Sequence, residues 1–343
     1  MPCYSACRGR ATRPRGVPAD SRAAALVAAA RDGDARSLAR LISQVENGSP
    51  ELRPVMRAIT PFAGHARVVG LTGSPGVGKS TVTAALVGAY RALEFRVAVL
   101  AVDPTSPFTG GALLGDRVRM QDHAIDRGVF IRSMASRGHL GGLAVAAPQA
   151  LRILDAAGFD VICVETVGVG QAEVEIASLA DTTLVIAAPG LGDSIQAAKA
   201  GILEIADIFV VNKSDRPGAQ DVVRDLRNML AMARQPEGAW RPPIVSASAT
   251  TGAGIDELAG RLDQHWEWLG ESGERERRRL ARAREEVTAI AVAEMRRQIG
   301  GLPGQSRLDD LARLVSAGKL DPHSAADELI GQSALNSYGP STS

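Results

Sequence analysis

Residues 73–80 read GSPGVGKS, and their flanks restrict the fold more than anything else in the chain. The apolar run RVVGLT (67–72) precedes them and the helix-patterned STVTAALVGAYRAL (80–93) follows. A strand, a glycine-rich turn and a helix opening on Lys-Ser make a phosphate cradle, the P-loop pattern G-x-x-x-x-G-K-[ST] in the context it requires. Gly73, Gly76 and Gly78 let the backbone curl so that successive N–H groups face one anion, and the helix adds its positive dipole end. The candidate nucleotide-contacting segment is therefore Gly73, Ser74, Pro75, Gly76, Val77, Gly78, Lys79, Ser80 and Thr81. Lys79 is placed to reach the β- and γ-phosphates, and the Ser80 hydroxyl to ligate Mg²⁺. The chain binds a nucleoside triphosphate.

Further apolar runs follow at intervals: RVAVLAV, DVICVET, TTLVIAA, IFVVNK and PIVSAS, separated by helical patterns such as IQAAKAGILEIA. Strands apolar throughout, each followed by a helix, predict an α/β fold of the P-loop NTPase type, a parallel sheet with helices on both faces. Apolar residues at helical spacing from Arg22 to about Ile59 predict N-terminal helices, and the pattern returns after His265 as a C-terminal helical arm. The expected organisation is a disordered tail (1–21), an N-terminal helical segment (22–62), a nucleotide-binding domain (63–269), the arm (270–335) and a second tail (336–343). The charge run from Glu271 to Glu286 reads either as a solvated helix face or as an arm that packs on a second subunit.

Lys+Arg of 39 against Asp+Glu of 38 leaves a net charge of +1, which argues against nucleic acid or an anionic membrane as the main partner. No window is apolar enough to span a bilayer. Three cysteines (Cys3, Cys7 and Cys163) cannot build a disulfide framework, and a cytoplasmic location is expected. The first residues carry Arg8, Arg10, Arg13 and Arg15 with no acid before Asp20, which reads as a transit peptide or as a disordered tail. Among the 39 basic residues only Lys79, Lys199, Lys213 and Lys319 are lysines. Where such a chain keeps lysine, chemistry can require a compact point charge rather than a guanidinium fork.

The base is read from Asn212, Lys213 and Asp215, an N-K-x-D at the end of a buried run. A carboxylate there accepts both the ring N1–H and the exocyclic amine of guanine, whereas adenine offers a lone pair instead. Sites built on such bonds reject the wrong partner by roughly 10⁴-fold or more. The run SASATTGAG supplies a Ser-Ala turn for the guanine oxygen, with Ser246-Ala247 and Ser248-Ala249 both eligible. The nucleotide is GTP, and 63–269 is a G domain.

The hydrolytic apparatus is less ordinary. Glu165-Thr166-Val167-Gly168 stands where small signalling GTPases carry Asp-x-x-Gly, so Glu165 can hold Mg²⁺ and the Gly168 N–H can sense the γ-phosphate. Val169 occupies the place of the water-orienting glutamine, and Gln171 lies beyond it; slow intrinsic turnover that a partner completes is expected. Asp103 and Asp116 lie near strand ends on the phosphate side and read as metal ligands or as turn caps. Lys79, Glu165 and Asp103 are the candidate catalytic residues. The five histidines show no ligand spacing.

GSPGVGKST, VAVLAVDPTSPFTGGALLGDRVRM, AGFDVICVETVGVGQAE, GDSIQAAKAG and VVNKSD together resemble the MeaB/ArgK/MMAA family of methylmalonyl-CoA mutase-associated GTPases, of the SIMIBI class, over roughly 22–335. The resemblance implies a GTPase chaperone that gates adenosylcobalamin loading and protects a B12-dependent acyl-CoA mutase. It implies that Ser80, Asp103, Asp116 and Glu165 surround Mg²⁺, and that Gln171 and Lys199 couple the nucleotide state to the mutase. It also implies that Ser248, Ala249 and Thr250 form the guanine loop and that the arm builds a homodimer. Ser194 and Ala200 depart from the family's acid and second lysine, which leaves the choice of mutase open. A metallochaperone GTPase, a kinase and a nucleotide-gated scaffold are the competing functions. The first would need a Cys/His site, and Asp215 opposes ATP for the second.

Overall fold

The computed structural model describes residues 19–104, 126–136, 143–166, 172–190, 203–232, 238–300 and 305–337. Three helices come first among the described residues: α1 (Ala19–Arg31), α2 (Ala35–Glu46) and α3 (Leu52–Ile59). α1 begins at Ala19, ahead of the expected start at Arg22. The side chain of Asp34 caps α2 by accepting from the backbone N–H groups of Arg36 and Ser37 at 3.2 and 3.1 Å.

Seven strands follow, β1 (Arg67–Thr72), β2 (Val97–Pro104), β3 (Val129–Ser136), β4 (Val161–Thr166), β5 (Thr182–Ala187), β6 (Ile208–Val211) and β7 (Ile244–Ser246). They form one parallel sheet in the order β3-β2-β4-β1-β5-β6-β7. The chain leaves β1 for one half of the sheet and resumes on its other side at β5, so the carboxyl end of β1 lies at the switch point where such sheets bind ligands.

Helices α4 (Lys79–Ala92), α5 (Leu143–Ala156), α6 (Ala172–Leu179) and α7 (Ala219–Met232) cover the sheet. One core joins Ile162 and Val164 of β4 to Ile153 and Leu154 of α5 and to Leu41, Ile42, Val55 and Ile59 of the N-terminal helices. The opposite face packs Leu71, Cys163 and Ile186 against Val82, Leu86 and Tyr90 of α4. Alternate residues of β4 thus enter different cores, and Val161 through Val164 are all fully buried. That is why the run is apolar without alternation.

Strand β3 lies outside the expected set. It is an edge strand with β2 as its sheet partner, and Val129 through Ser133 are only half-buried. Its sequence, VFIRSMAS, therefore mixes polar and apolar residues and shows no buried-strand run.

The C-terminal part is helical: α8 (Ile255–Glu271), α9 (Glu274–Gly300), α10 (Gln305–Ser316) and α11 (Pro322–Ser337). The expected boundary at residue 270 falls in the last turn of α8. The charge run does not form a solvated face throughout. Arg278 donates to the Asp207 carboxylate at 2.9 and 3.0 Å and to the Asp181 carbonyl at 2.9 Å. Arg279 binds the Gly64 and Ala66 carbonyls, and Arg282 binds the Leu179 carbonyl and the Asp181 carboxylate. Arg152 of α5 meets buried Glu286 with both its Nε and its Nη2. These bonds fasten one side of α9 to the strand starts, while Leu280, Val287, Ile290, Val292 and Met295 on the same helix stay exposed. Among the described residues no helix is long and apolar enough to cross a membrane.

Candidate nucleotide-binding site

β1 delivers the chain to the P-loop at Thr72, between the carboxyl ends of β4 and β5. Gly73, Gly76 and Gly78 take positive φ of 140°, 81° and 96°, so the loop winds in conformations that L side chains avoid. At Gly73 a Cβ would strike the Ile186 carbonyl of β5, and at Gly78 it would strike the Asn212 amide. Gly78 caps α4, whose first residue is Lys79. The Lys79 side chain is folded back over the loop: Nζ donates to the Gly73 carbonyl at 2.6 Å and to the Ser74 carbonyl at 3.3 Å. Ser74, Ser80 and Thr81 are half-buried, Pro75 and Gly76 exposed, and Val77 is fixed in the core.

The N-K-x-D segment follows β6 and reaches the same loop. Asn212, 3% exposed, donates from Nδ2 to the Val77 carbonyl at 2.8 Å. Its Oδ1 accepts the Ala249 N–H at 3.1 Å. One amide therefore ties the P-loop to the turn after β7. Lys213 adopts φ 57°, the left-handed region, and its Nζ donates to the Gly76 carbonyl at 2.7 Å. Asp215 is exposed, and a hydrogen bond from the Ser248 hydroxyl holds its carboxyl below the usual carboxylate range. Ser248 is buried at 2% and Thr250 is exposed. Of the two Ser-Ala pairs, Ser246 ends β7 and is exposed, whereas Ser248 is buried and bonded to Asp215.

Glu165 stands near the end of β4 beside Leu71 of β1 and is 2% exposed. Thr83 of α4 donates to its Oε2 at 2.8 Å. Sequence reasoning missed Thr83, since nothing in STVTAAL marks a partner 82 residues away. Cys163, fully buried, has its thiol pushed up to about 12 by burial and then by the Glu165 charge; it is an inert thiol. Asp103 lies at the end of β2, where its backbone pairs with Ala135; β2 also aligns Ala101 with Glu165. Asp116, Gly168, Gln171 and Lys199 lie outside the described residues. The Ser80 hydroxyl and the Glu165 carboxylate are hard oxygen donors, a set suited to a divalent cation that takes one or two protein carboxylates and completes its shell with phosphate and water.

A family profile described as methylmalonyl-CoA mutase-associated GTPase MeaB matches residues 38–301. The chain belongs to the MeaB family. Like its named relatives it is a GTPase. A putative GTPase of Pyrococcus abyssi is 47% identical over 307 residues, covering 89% of this chain and 95% of that protein. The GTPase ArgK of Escherichia coli is 37% identical over 271 residues, covering 72% and 82% of the two chains. The mitochondrial methylmalonic aciduria type A homolog of Caenorhabditis elegans is 33% identical over 267 residues, covering 76% and 67%. The crystal structure of a protein titled LAO/AO transport system kinase superposes with a TM-score of 0.68 at 26% identity, covering 92% of this MeaB-family chain and 99% of that one.

Proposed function

We propose that this GTPase is a chaperone for an adenosylcobalamin-dependent acyl-CoA mutase, methylmalonyl-CoA mutase or a sibling. It gates loading of intact cofactor and protects the mutase, with GTP binding and slow hydrolysis as the timer. The observation that carries this reading is the family match across residues 38–301, which spans the G domain and all of α9.

The reading assigns parts to the site. Lys79 leaves the Gly73 and Ser74 carbonyls for the β- and γ-phosphates, and Asp215 reads guanine beside the Ser248 turn. Ser80 and Glu165 hold Mg²⁺, joined by Asp103 and Asp116; bound there, the ion offsets charge developing on the phosphates. Gln171 and Lys199 transmit the nucleotide state to the mutase. The chain acts in the cytoplasm as a homodimer built by the arm at 270–335, and the exposed apolar residues of α9, from Leu280 to Met295, support that use of the arm.

A nucleotide can bias a partner only by its differential affinity for the two states. The test is the affinity of this protein for an adenosylcobalamin-dependent acyl-CoA mutase of the same organism, measured by surface plasmon resonance with a non-hydrolysable GTP analogue and with GDP. The expected result is a difference of at least about fivefold between the two nucleotides. Equal affinities, or no complex with either, would remove the chaperone reading and leave the GTPase.

A further inference from the structure

Thr83 is fully buried on α4, four residues beyond Lys79. Its hydroxyl lies 3.1 Å from the Lys79 carbonyl and 2.8 Å from Glu165 Oε2. A helical threonine ordinarily spends its single proton on the carbonyl one turn back. Here a buried carboxylate, which only accepts when ionised, competes for that proton at shorter range. The proton goes to Glu165, and the Lys79 carbonyl keeps only the longer approach.

The consequence is mechanical. α4 carries Ser80 as well as Thr83, so the bond links the strand tip bearing Glu165 to the helix bearing the other oxygen donor. It also orients the carboxylate by engaging Oε2. We propose that Thr83 is a positioning residue that sets the Glu165 carboxylate for the Mg²⁺–nucleotide complex, an inference that rests on the reading of Glu165 as a magnesium-side ligand. Hydroxyls and amides behind metal ligands are worth roughly 10- to 100-fold in metal affinity.

The experiment follows a fluorescent GDP analogue during Mg²⁺ titration of the full-length protein, with affinity in EDTA as the metal-free reference. Thr83→Val keeps the shape and removes the donor. It should raise the Mg²⁺ midpoint by about tenfold while leaving the EDTA affinity unchanged. Thr83→Ala, smaller and free of any clash, should show the same shift, and Thr83→Ser should titrate within about twofold of the wild type. If Thr83→Val and Thr83→Ala titrate like the wild type while Glu165→Gln does not, the positioning role is wrong and the magnesium role of Glu165 stands. A Thr83→Ser midpoint as poor as that of Thr83→Val would assign the effect to packing and overturn the proposal. If Glu165→Gln itself leaves the midpoint unmoved, the magnesium reading of Glu165 falls, and the Thr83 role with it.

Discussion

Asn212 Nδ2 donates to the Val77 carbonyl at 2.8 Å, so the strand end that carries the N-K-x-D pattern also braces the P-loop. The same side chain accepts from the Ala249 N–H, which makes it the junction of three segments far apart in sequence. Asn212→Ala leaves a buried carbonyl and an amide without their partner. It should cost about 2 kcal/mol of stability and at least about tenfold in GTP affinity. Urea unfolding and a fluorescent-nucleotide titration measure the two; loss of affinity with unchanged stability would mean Asn212 acts on the nucleotide rather than on the loop.

In the proposed function Asp215 sets base choice. Asp215→Asn exchanges an acceptor for a donor, so GTP should weaken by a factor approaching roughly 10⁴ while XTP, whose 2-oxo group accepts from the amide, gains. Competition titration of GTP against XTP reads the exchange, and retained GTP affinity would contradict the assignment.

The Ser248 hydrogen bond also fixes a pH dependence. The Asp215 carboxyl is held low in the folded protein, so its ionised form, the one proposed to bind guanine, persists as pH falls and is lost only when pH passes its depressed pKa. Ser248→Ala releases the carboxyl upward and should move the loss of GTP affinity to higher pH. Nucleotide titrations carried from neutral pH to about pH 3, below the ordinary aspartate value, show it as a displaced curve. Coincident curves would place the control of Asp215 elsewhere.

The anchoring of α9 predicts a stability effect remote from the nucleotide. Burial alone would push the Asp207 carboxyl up; His265, 3.3 Å away, and the two bonds from Arg278 outweigh it and hold the carboxyl below its ordinary value. Arg278→Ala removes two hydrogen bonds from a buried carboxylate and should cost about 3 kcal/mol at neutral pH. The contribution of a depressed carboxyl is present above its unfolded pKa and lost as pH falls through the folded one. The gap between wild type and variant should therefore close in acid, and a gap independent of pH would show that Arg278 contributes through packing.

Much of the site was legible because its chemistry is local. The P-loop fits within residues 73–80, and N-K-x-D within Asn212 to Asp215, so spacing alone exposes both. Buried strands β1, β2, β4, β5 and β6 announce themselves by continuous apolar runs, each set by two packed faces, while β7, at the far edge, buries only Val245 of its short run. β3 does not, because an edge strand half-exposed on its open side needs no such run. Thr83 was invisible for a different reason: its importance comes from β4 lying beside β1 and α4, a juxtaposition that sequence spacing does not carry. Ser246 and Ser248 are equivalent as dipeptides and differ in burial and in the bond that Ser248 makes to Asp215. Arg278 and Arg282 look like a solvated helix face until Asp181 and Asp207 are placed at the strand starts below them.

The most direct test is the single-turnover rate of GTP hydrolysis, alone and with an adenosylcobalamin-dependent acyl-CoA mutase from the same organism. A chaperone whose site is completed by its partner should hydrolyse GTP slowly alone and at least tenfold faster in the complex, about 1.4 kcal/mol off the barrier. An unchanged rate under conditions where both proteins and GTP are saturated would contradict it.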